Sequence, residues 1–146
     1  MVQPVKNNLV LELHVPSFQP VYDFYQLFGF EQLYLEPVTD SLGYLVMQRQ
    51  DDLGKTLINF YGGLSKVTEH SHFKKFFVNT PRGYAVEITI PVADIDQLWA
   101  VVEDKLKPKQ IAQPLAMKRW GKRDFRVIDP FGFYVRFAEL VDWGQS

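Results

Sequence analysis

The two halves of this 146-residue chain carry the same hydrophobic pattern, and this internal repeat limits the possible folds more than any other property. Placing Val15 on Val92, an offset of 77 residues, aligns the alternating apolar residues of 9–13 with those of 86–90. The same offset aligns the helix-spaced apolar residues that follow Val15 and Val92. A supersecondary unit that occurs twice indicates two copies of one module.

The first module is predicted to contain a strand, a helix and three further strands. Period-2 alternation favours strands, and apolar residues three and four apart favour the helix, which Ser17 can cap and Gly29 can end. The predicted strands are 9–15, 30–36, 43–49 and 55–61, and the helix carries Val21, Phe24, Tyr25 and Phe28.

The second module repeats this order after a polar connection. Asp94 is predicted to cap its helix, and the strands are predicted at 85–91, 110–117, 123–128 and 133–140. We therefore expect a single domain over residues 1–146, with modules at about 7–62 and 84–141 and a linker at 63–83 that holds a short helix around 71–77. The predicted fold class is α+β: two tandem βαβββ modules that form a curved, cup-shaped mixed sheet.

A tight turn at Asp129-Pro130-Phe131-Gly132 joins the last two predicted strands. Asp and Pro favour the start of such a turn, and Gly132 supplies the positive φ at its end. In the closing strand, Phe133, Val135 and Phe137 face one way, whereas Tyr134, Arg136 and Ala138 face the other. An arginine on that face needs a partner, because an unpaired buried charge is costly.

Composition excludes several classes of function. The chain is 47% hydrophobic and 15% aromatic with a formal net charge of −1, so nothing indicates a nucleic-acid partner. The absence of cysteine excludes disulfides and Cys-ligated zinc. The N-terminal residues show neither a signal-peptide pattern nor a membrane-spanning apolar run, so no membrane partner and a cytoplasmic location are expected.

Three stretches resemble the vicinal oxygen chelate superfamily of glyoxalase I, extradiol dioxygenases and bleomycin-resistance proteins, and the likeness is greatest to the last group. They are LELHVPSFQPVYDFYQLFGF, VADIDQLWAVVEDKL and WGKRDFRVIDPFGFYVRFAE. The resemblance implies paired βαβββ modules, a cup-shaped sheet and commonly a homodimer with ligand crevices near the interface.

Enzymes of that superfamily bind a metal through one residue from the first and one from the last strand of each module. Those positions correspond here to Val10, Glu87, Arg136 and Asn59, or to Ile58 if the two D-x-x-G turns are aligned instead. Valine cannot ligate a metal, and arginine repels a divalent cation. We therefore expect no metal, no cofactor and no catalytic residue.

The predicted ligand-binding residues lie on the faces that the helices leave free. They are Glu12, Asn59, Glu87, Trp120, Tyr134 and Arg136. We expect Glu87 and Arg136 to pair directly, since each would offset the burial of the other. The alternatives are that the pair only fills the space of a lost metal, and that Arg136 binds an anionic ligand instead. His14, His70 and His72 are interpreted as solvent-facing residues, and Trp143 as a contact with a partner subunit or across a cavity mouth.

Three functions fit these features. The favoured hypothesis is a metal-free protein that sequesters a small aromatic or cationic compound, as the bleomycin-resistance likeness implies. The near-neutral charge argues against a strongly basic glycopeptide as the ligand. The alternatives are a metal-dependent glyoxalase, lyase or dioxygenase of the same superfamily, and a dimer with no small ligand.

Overall fold

The computed structural model describes residues 9–39, 42–63 and 66–141, which form two four-stranded sheets that are not closed. The first sheet has the strand order β1-β4-β3-β2, and the second has β5-β8-β7-β6. In each sheet the first and last strands of the module run parallel, and the other neighbours are antiparallel. The α+β fold class and the repeated βαβββ order predicted from the sequence are confirmed.

The elements differ from the predicted ones mainly at their ends. The strands are β1 (Glu12–Val15), β2 (Glu31–Glu36), β3 (Gly43–Asp51), β4 (Gly54–Gly62), β5 (Glu87–Pro91), β6 (Ile111–Met117), β7 (Arg123–Ile128) and β8 (Tyr134–Ala138). The helices are α1 (Gln19–Tyr25), α2 (Lys66–Glu69) and α3 (Ile95–Val102), with 3₁₀ turns at Gln26–Phe28, Phe73–Lys75 and Pro108–Gln110.

Helix α3 starts as predicted, and helix α1 does not. The Asp94 side chain accepts a hydrogen bond from the backbone N–H of Gln97, the usual role of an N-terminal aspartate cap. The cap position of α1 is Phe18, which makes no side-chain cap hydrogen bond, so the expected Ser17 cap is wrong. Proline in the first turn of α1 fixes φ there and starts that helix without a polar cap.

One hydrophobic core receives the apolar faces of both sheets. Tyr25 on α1 packs against Phe60 of β4, with ring centroids 5.4 Å apart. Phe28, one turn further on, stacks on Phe137 of β8 at 4.4 Å. The first helical segment thus contacts both sheets. Because both apolar faces contribute to this core, the polar face of each sheet is the one turned away from it.

A buried hydrogen bond also joins the modules. The Tyr25 hydroxyl donates to Asp129 Oδ2 at 2.7 Å, and both side chains are buried. The other oxygen of Asp129 accepts from the backbone N–H groups of Phe131 and Phe133, and Gly132 has a φ of 97°. The predicted turn is therefore present. Burial raises the pKa of the Asp129 carboxyl, although the Tyr25 and backbone hydrogen bonds act in the opposite direction.

The linker folds differently from the prediction. It contains α2 and the Phe73–Lys75 turn rather than one helix around 71–77. The Arg82 side chain returns to the first module, where Nε donates to the backbone carbonyl of His14 at 3.0 Å. Trp143 lies outside the described residues. Within the described part of the chain, none of the helices has the length and apolar character needed to cross a bilayer.

Candidate functional site

The four positions that would bind a metal in the superfamily's enzymes do not fit one here. Val10 precedes β1, is 69% exposed and offers no donor atom. Arg136 brings a positive charge to a second position, and Glu87 is engaged by Arg126. Asn59 lies on the polar face of β4, whereas its sequence alternative Ile58 is buried in the core. One carboxylate and one amide do not make a metal site.

The polar face of the first sheet carries a group that we call the Glu12 cluster, formed by the hydrogen-bonded Glu12, His14, Tyr44 and Asn59 and by Tyr61, which stacks on His14. The Tyr44 hydroxyl donates to Glu12 Oε1 at 2.7 Å and accepts from Asn59 Nδ2 at 3.0 Å. His14 Nε2 lies 3.0 Å from Glu12 Oε2. Glu12 and Asn59 are also register partners across β1 and β4. The structure therefore brings together two of the predicted ligand-binding residues.

Strand alternation places these residues together. Glu12 and His14 are two apart on β1, so they share a face, and Tyr44 lies opposite Tyr61 across β3 and β4. Partial burial raises the pKa of the Tyr44 hydroxyl, as does its hydrogen bond to Glu12, while the Asn59 bond opposes them. The cluster thus presents one carboxylate, held by a tyrosine hydroxyl and an imidazole, among aromatic rings.

His14 is more enclosed than the sequence interpretation allowed. Its ring stacks on Tyr61 at 4.6 Å and meets His70 and Phe73 edge-on at 5.5 and 5.4 Å. His70 is not a free loop residue either, because its Nδ1 accepts from the backbone N–H groups of His72 and Phe73. His72 itself is exposed, as expected. The linker therefore covers one end of the Glu12 cluster.

The polar face of the second sheet carries a charged group, the Asp124 cluster, formed by Glu87, Lys118, Trp120, Asp124, Arg126, Tyr134 and Arg136. Asp124 is its centre: the side chain is only 1% exposed, and Oδ2 accepts from Arg136 Nε at 2.8 Å and from Arg126 Nη2 at 3.5 Å. Lys118 Nζ lies 3.7 Å from Oδ1.

The expected direct pair between Glu87 and Arg136 is wrong. Glu87 Oε1 instead lies 3.3 Å from Arg126 Nη1, while Arg136 binds Asp124. The strand register explains why the ion-pair partners differ from the expected ones. Arg136 aligns with Thr89 on β5 and with Arg126 on β7, whereas Glu87 aligns with Tyr134. The predicted residues do share one face, but a different carboxylate is closer to Arg136.

Asp124 and Arg126 are the most closely paired of the cluster residues that the predicted ligand-binding set lacked, which also include His14, Tyr44, Tyr61 and Lys118. A signal for them was present: in the predicted strand 123–128, alternation puts Asp124 and Arg126 on one face. The tight turn at 129–132 then brings that face beside Arg136. Hydrogen bonding to Tyr134 and the nearby carboxylates raise the pKa of the Arg126 guanidinium.

Trp120 and Tyr134 join the same cluster. The Arg136 guanidinium carbon lies 5.4 Å from the centre of a Trp120 ring, a cation–π distance, and the indole is 47% exposed. The Tyr134 hydroxyl accepts a long hydrogen bond of 3.5 Å from Arg126 Nη1. None of the hydrogen bonds or ion pairs of the described residues joins the Asp124 cluster to the Glu12 cluster.

An open cleft of about 570 Å³ lies between β4 and β5. Its walls are mostly apolar, and Glu87 is the only predicted ligand-binding residue among those that line it. The cleft therefore borders the Asp124 cluster, while the other predicted site residues lie elsewhere on the polar faces.

No protein-family model matches the chain, and neither does any curated protein sequence. Solved structures do match. A bleomycin-binding protein complexed with bleomycin superposes with a TM-score of 0.59 at 15% identity, covering 93% of this chain and 100% of that chain. TioX from Micromonospora sp. ML1 gives a TM-score of 0.63 at 21% identity, with 93% and 100% covered.

A third match is a member of the glyoxalase/bleomycin resistance protein/dioxygenase superfamily from Sphaerobacter thermophilus. Its TM-score is 0.60 at 17% identity, with 92% of this chain and 98% of that chain covered. At such identities a likeness shows the fold alone. These matches agree with the motifs of the sequence, and the chain therefore has the paired βαβββ fold of the glyoxalase/bleomycin resistance protein/dioxygenase superfamily.

Proposed function

We propose that this chain is a metal-independent small-molecule-binding protein that sequesters an aromatic, cationic compound at the Glu12 cluster. The observation that carries this proposal is the position of the Glu12 carboxylate. It accepts a hydrogen bond from the Tyr44 hydroxyl, lies 3.0 Å from His14 Nε2, and remains partly exposed beside aromatic rings. The cluster contains no lysine or arginine that would neutralise this carboxylate.

Such a surface suits a flat cation. The faces of tyrosine rings attract positive charge by about 0.5–2 kcal/mol, and a carboxylate adds a charge-assisted hydrogen bond. Tyr44 hydrogen-bonds the carboxylate directly, and Tyr61, its register partner on β4, stacks on His14 beside it. Phe73 and His70 extend the aromatic surface at one end.

The fold supports this class of function without naming the ligand. One protein of the same fold is described as binding bleomycin, which makes small-molecule sequestration a reasonable use of the scaffold. The metal-dependent alternative lacks support because the donor set at the four corresponding positions does not fit a metal.

Calorimetric titration with proflavine, a planar aromatic cation, tests the proposal. We expect wild-type protein to bind it, and Glu12→Gln to weaken binding about 10-fold, since about 1.4 kcal/mol corresponds to that factor. Glu103→Gln is the matched control, because Glu103 is an exposed carboxylate at the end of α3. Absence of proflavine binding, or equal affinity in wild type and Glu12→Gln, would refute the proposal.

We also propose that the protein is a homodimer. Strand β2 is an edge strand whose six residues are all exposed, including the apolar Leu33 and Leu35. Exposed apolar edges promote pairing with another chain. Sedimentation velocity at micromolar concentration should give about twice the 17.0 kDa mass of one chain. A single species at the monomer mass would exclude a stable dimer.

A further inference from the structure

The guanidinium of Arg136 forms its hydrogen bond through Nε and not through its two terminal nitrogens. Its Nε donates to Asp124 Oδ2 at 2.8 Å, and the guanidinium lies over Trp120. Among the described residues, neither terminal nitrogen of Arg136 has a hydrogen-bond partner. The side chain is 16% exposed, so solvent reaches part of it. Asp124 thus orients Arg136 and leaves the two-nitrogen end of the guanidinium available.

The surrounding charge favours an anion. The Asp124 cluster contains the cations Lys118, Arg126 and Arg136 against the carboxylates Glu87 and Asp124, an excess of one positive charge. The Nε of Arg126 is in addition a buried donor without a hydrogen-bond partner. Asp124 is the more deeply buried carboxylate, and Lys118 next to its Oδ1 offsets part of its repulsion toward a bound anion.

We propose that the Asp124 cluster is a second binding site, which takes a small carboxylate through the terminal nitrogens of Arg136. A planar guanidinium binds a planar carboxylate by two parallel hydrogen bonds, which neither lysine nor a neutral donor reproduces. The exposed Trp120 provides an apolar wall beside this fork for the body of the ligand. This site lies on the other sheet from the Glu12 cluster and has the opposite charge preference, so it does not depend on the proposed function.

The test is a calorimetric titration with benzoate, compared with benzamide, its uncharged counterpart of similar shape. We expect wild-type protein to bind benzoate and to bind benzamide at least 10-fold more weakly. This part needs no variant, so it stands even if a substitution in the cluster prevents folding. Equal affinity for the two compounds, or no benzoate binding at millimolar concentration, would overturn the proposal.

Arg136→Lys then tests the fork itself, because it keeps the charge and removes the bidentate geometry. We expect benzoate affinity to fall about 10-fold or more, because lysine cannot form the two parallel hydrogen bonds of the guanidinium. Arg119→Lys is the matched control, because Arg119 is exposed one residue before Trp120 and should leave the affinity within about 2-fold of wild type. Unchanged affinity in Arg136→Lys would overturn the assignment.

Two further titrations define the ligand class and separate this site from the proposed one. Inorganic phosphate should compete with benzoate only weakly; a protein that binds phosphate and not benzoate would contradict the carboxylate assignment. Saturating proflavine should not displace benzoate. Benzoate binding without proflavine binding would refute only the proposed function, and the reverse result would refute only this second site.

Discussion

The polar faces of the two sheets occupy equivalent places in the repeat, yet they are built from different interactions. On the first sheet, Glu12 is partly exposed and is held by the neutral Tyr44 and by His14. On the second sheet, Asp124 is almost fully buried and is surrounded by three cations. The same βαβββ scaffold therefore supports an exposed hydrogen-bonded network on one copy and a buried ionic network on the other.

This difference shows how burial determines which partners a carboxylate needs. A partly exposed carboxylate keeps part of its hydration, so hydroxyl and imidazole neighbours suffice. A buried carboxylate loses its water and requires opposite charge close by. Removing a partner from the second face should consequently cost much more stability than removing one from the first.

The largest effect is expected for Asp124→Ala. This change leaves Arg136 and Arg126, both mostly buried, without their shared anion, and loss of one partner of a buried ionic group costs about 3–5 kcal/mol. Chemical denaturation measures the change in the free energy of unfolding. Asp104→Ala removes an exposed carboxylate and should change it by no more than about 0.5 kcal/mol. A loss below about 1 kcal/mol in Asp124→Ala would contradict the contrast between the faces.

A smaller effect is expected for Tyr44→Phe on the first face. The substitution removes the donor to Glu12 and the acceptor for Asn59, and water can reach these groups, so we expect a loss of about 0.5–1.5 kcal/mol. The same denaturation measurement applies, with Tyr84→Phe as the control because Tyr84 is exposed and makes no side-chain hydrogen bond in the structure. A loss as large as that of Asp124→Ala would show that the two faces do not differ as described.

The smallest expected effect is a difference between wild type and Tyr44→Phe in how their stability changes at alkaline pH. The pKa of Tyr44 is raised above its ordinary value of 10.0, so the folded state holds this proton more tightly than the unfolded state does. The resulting stability is complete below about pH 10 and is lost as pH rises through the raised pKa. Tyr25 and Tyr34 are shifted in the same direction, so the comparison must be between wild type and Tyr44→Phe.

We expect the denaturation midpoints of wild type and Tyr44→Phe to converge as the pH is raised above about 10, because ionised Tyr44 no longer donates to Glu12. Midpoints that stay equally far apart at about pH 9 and pH 11 would show that the Tyr44 hydrogen bond does not produce the shift.

Much of the fold could be predicted because its signals are local. The alternation of β8, the Asp94 cap and the turn ending at Gly132 each depend on a few consecutive residues, and each is present. The internal repeat also predicted a long-range property, namely that these local units occur twice in the same order. It also put Glu12, Asn59, Glu87 and Arg136 on the strand faces opposite the helices, and in the structure these residues lie on the polar faces.

Other features depend on distances that no local pattern contains. Alternation assigns Glu87, Asp124 and Arg136 to one face, but the partner of Arg136 depends on the register of three strands and on how deeply each carboxylate is buried. The contact of Tyr25 with Asp129, 104 residues apart, likewise exists only because the helix of one module packs against the turn of the other.

The sequence by itself thus determined the modules, their strand faces and the chemical character of each face, since these follow from side-chain period and turn geometry. The tertiary structure decided which charges pair and which stay available, because electrostatic and hydrogen-bond energies change steeply over the few ångströms that separate neighbouring positions in a sheet. In the tertiary structure, Arg136 donates to Asp124 through Nε, and its terminal nitrogens have no hydrogen-bond partner among the described residues.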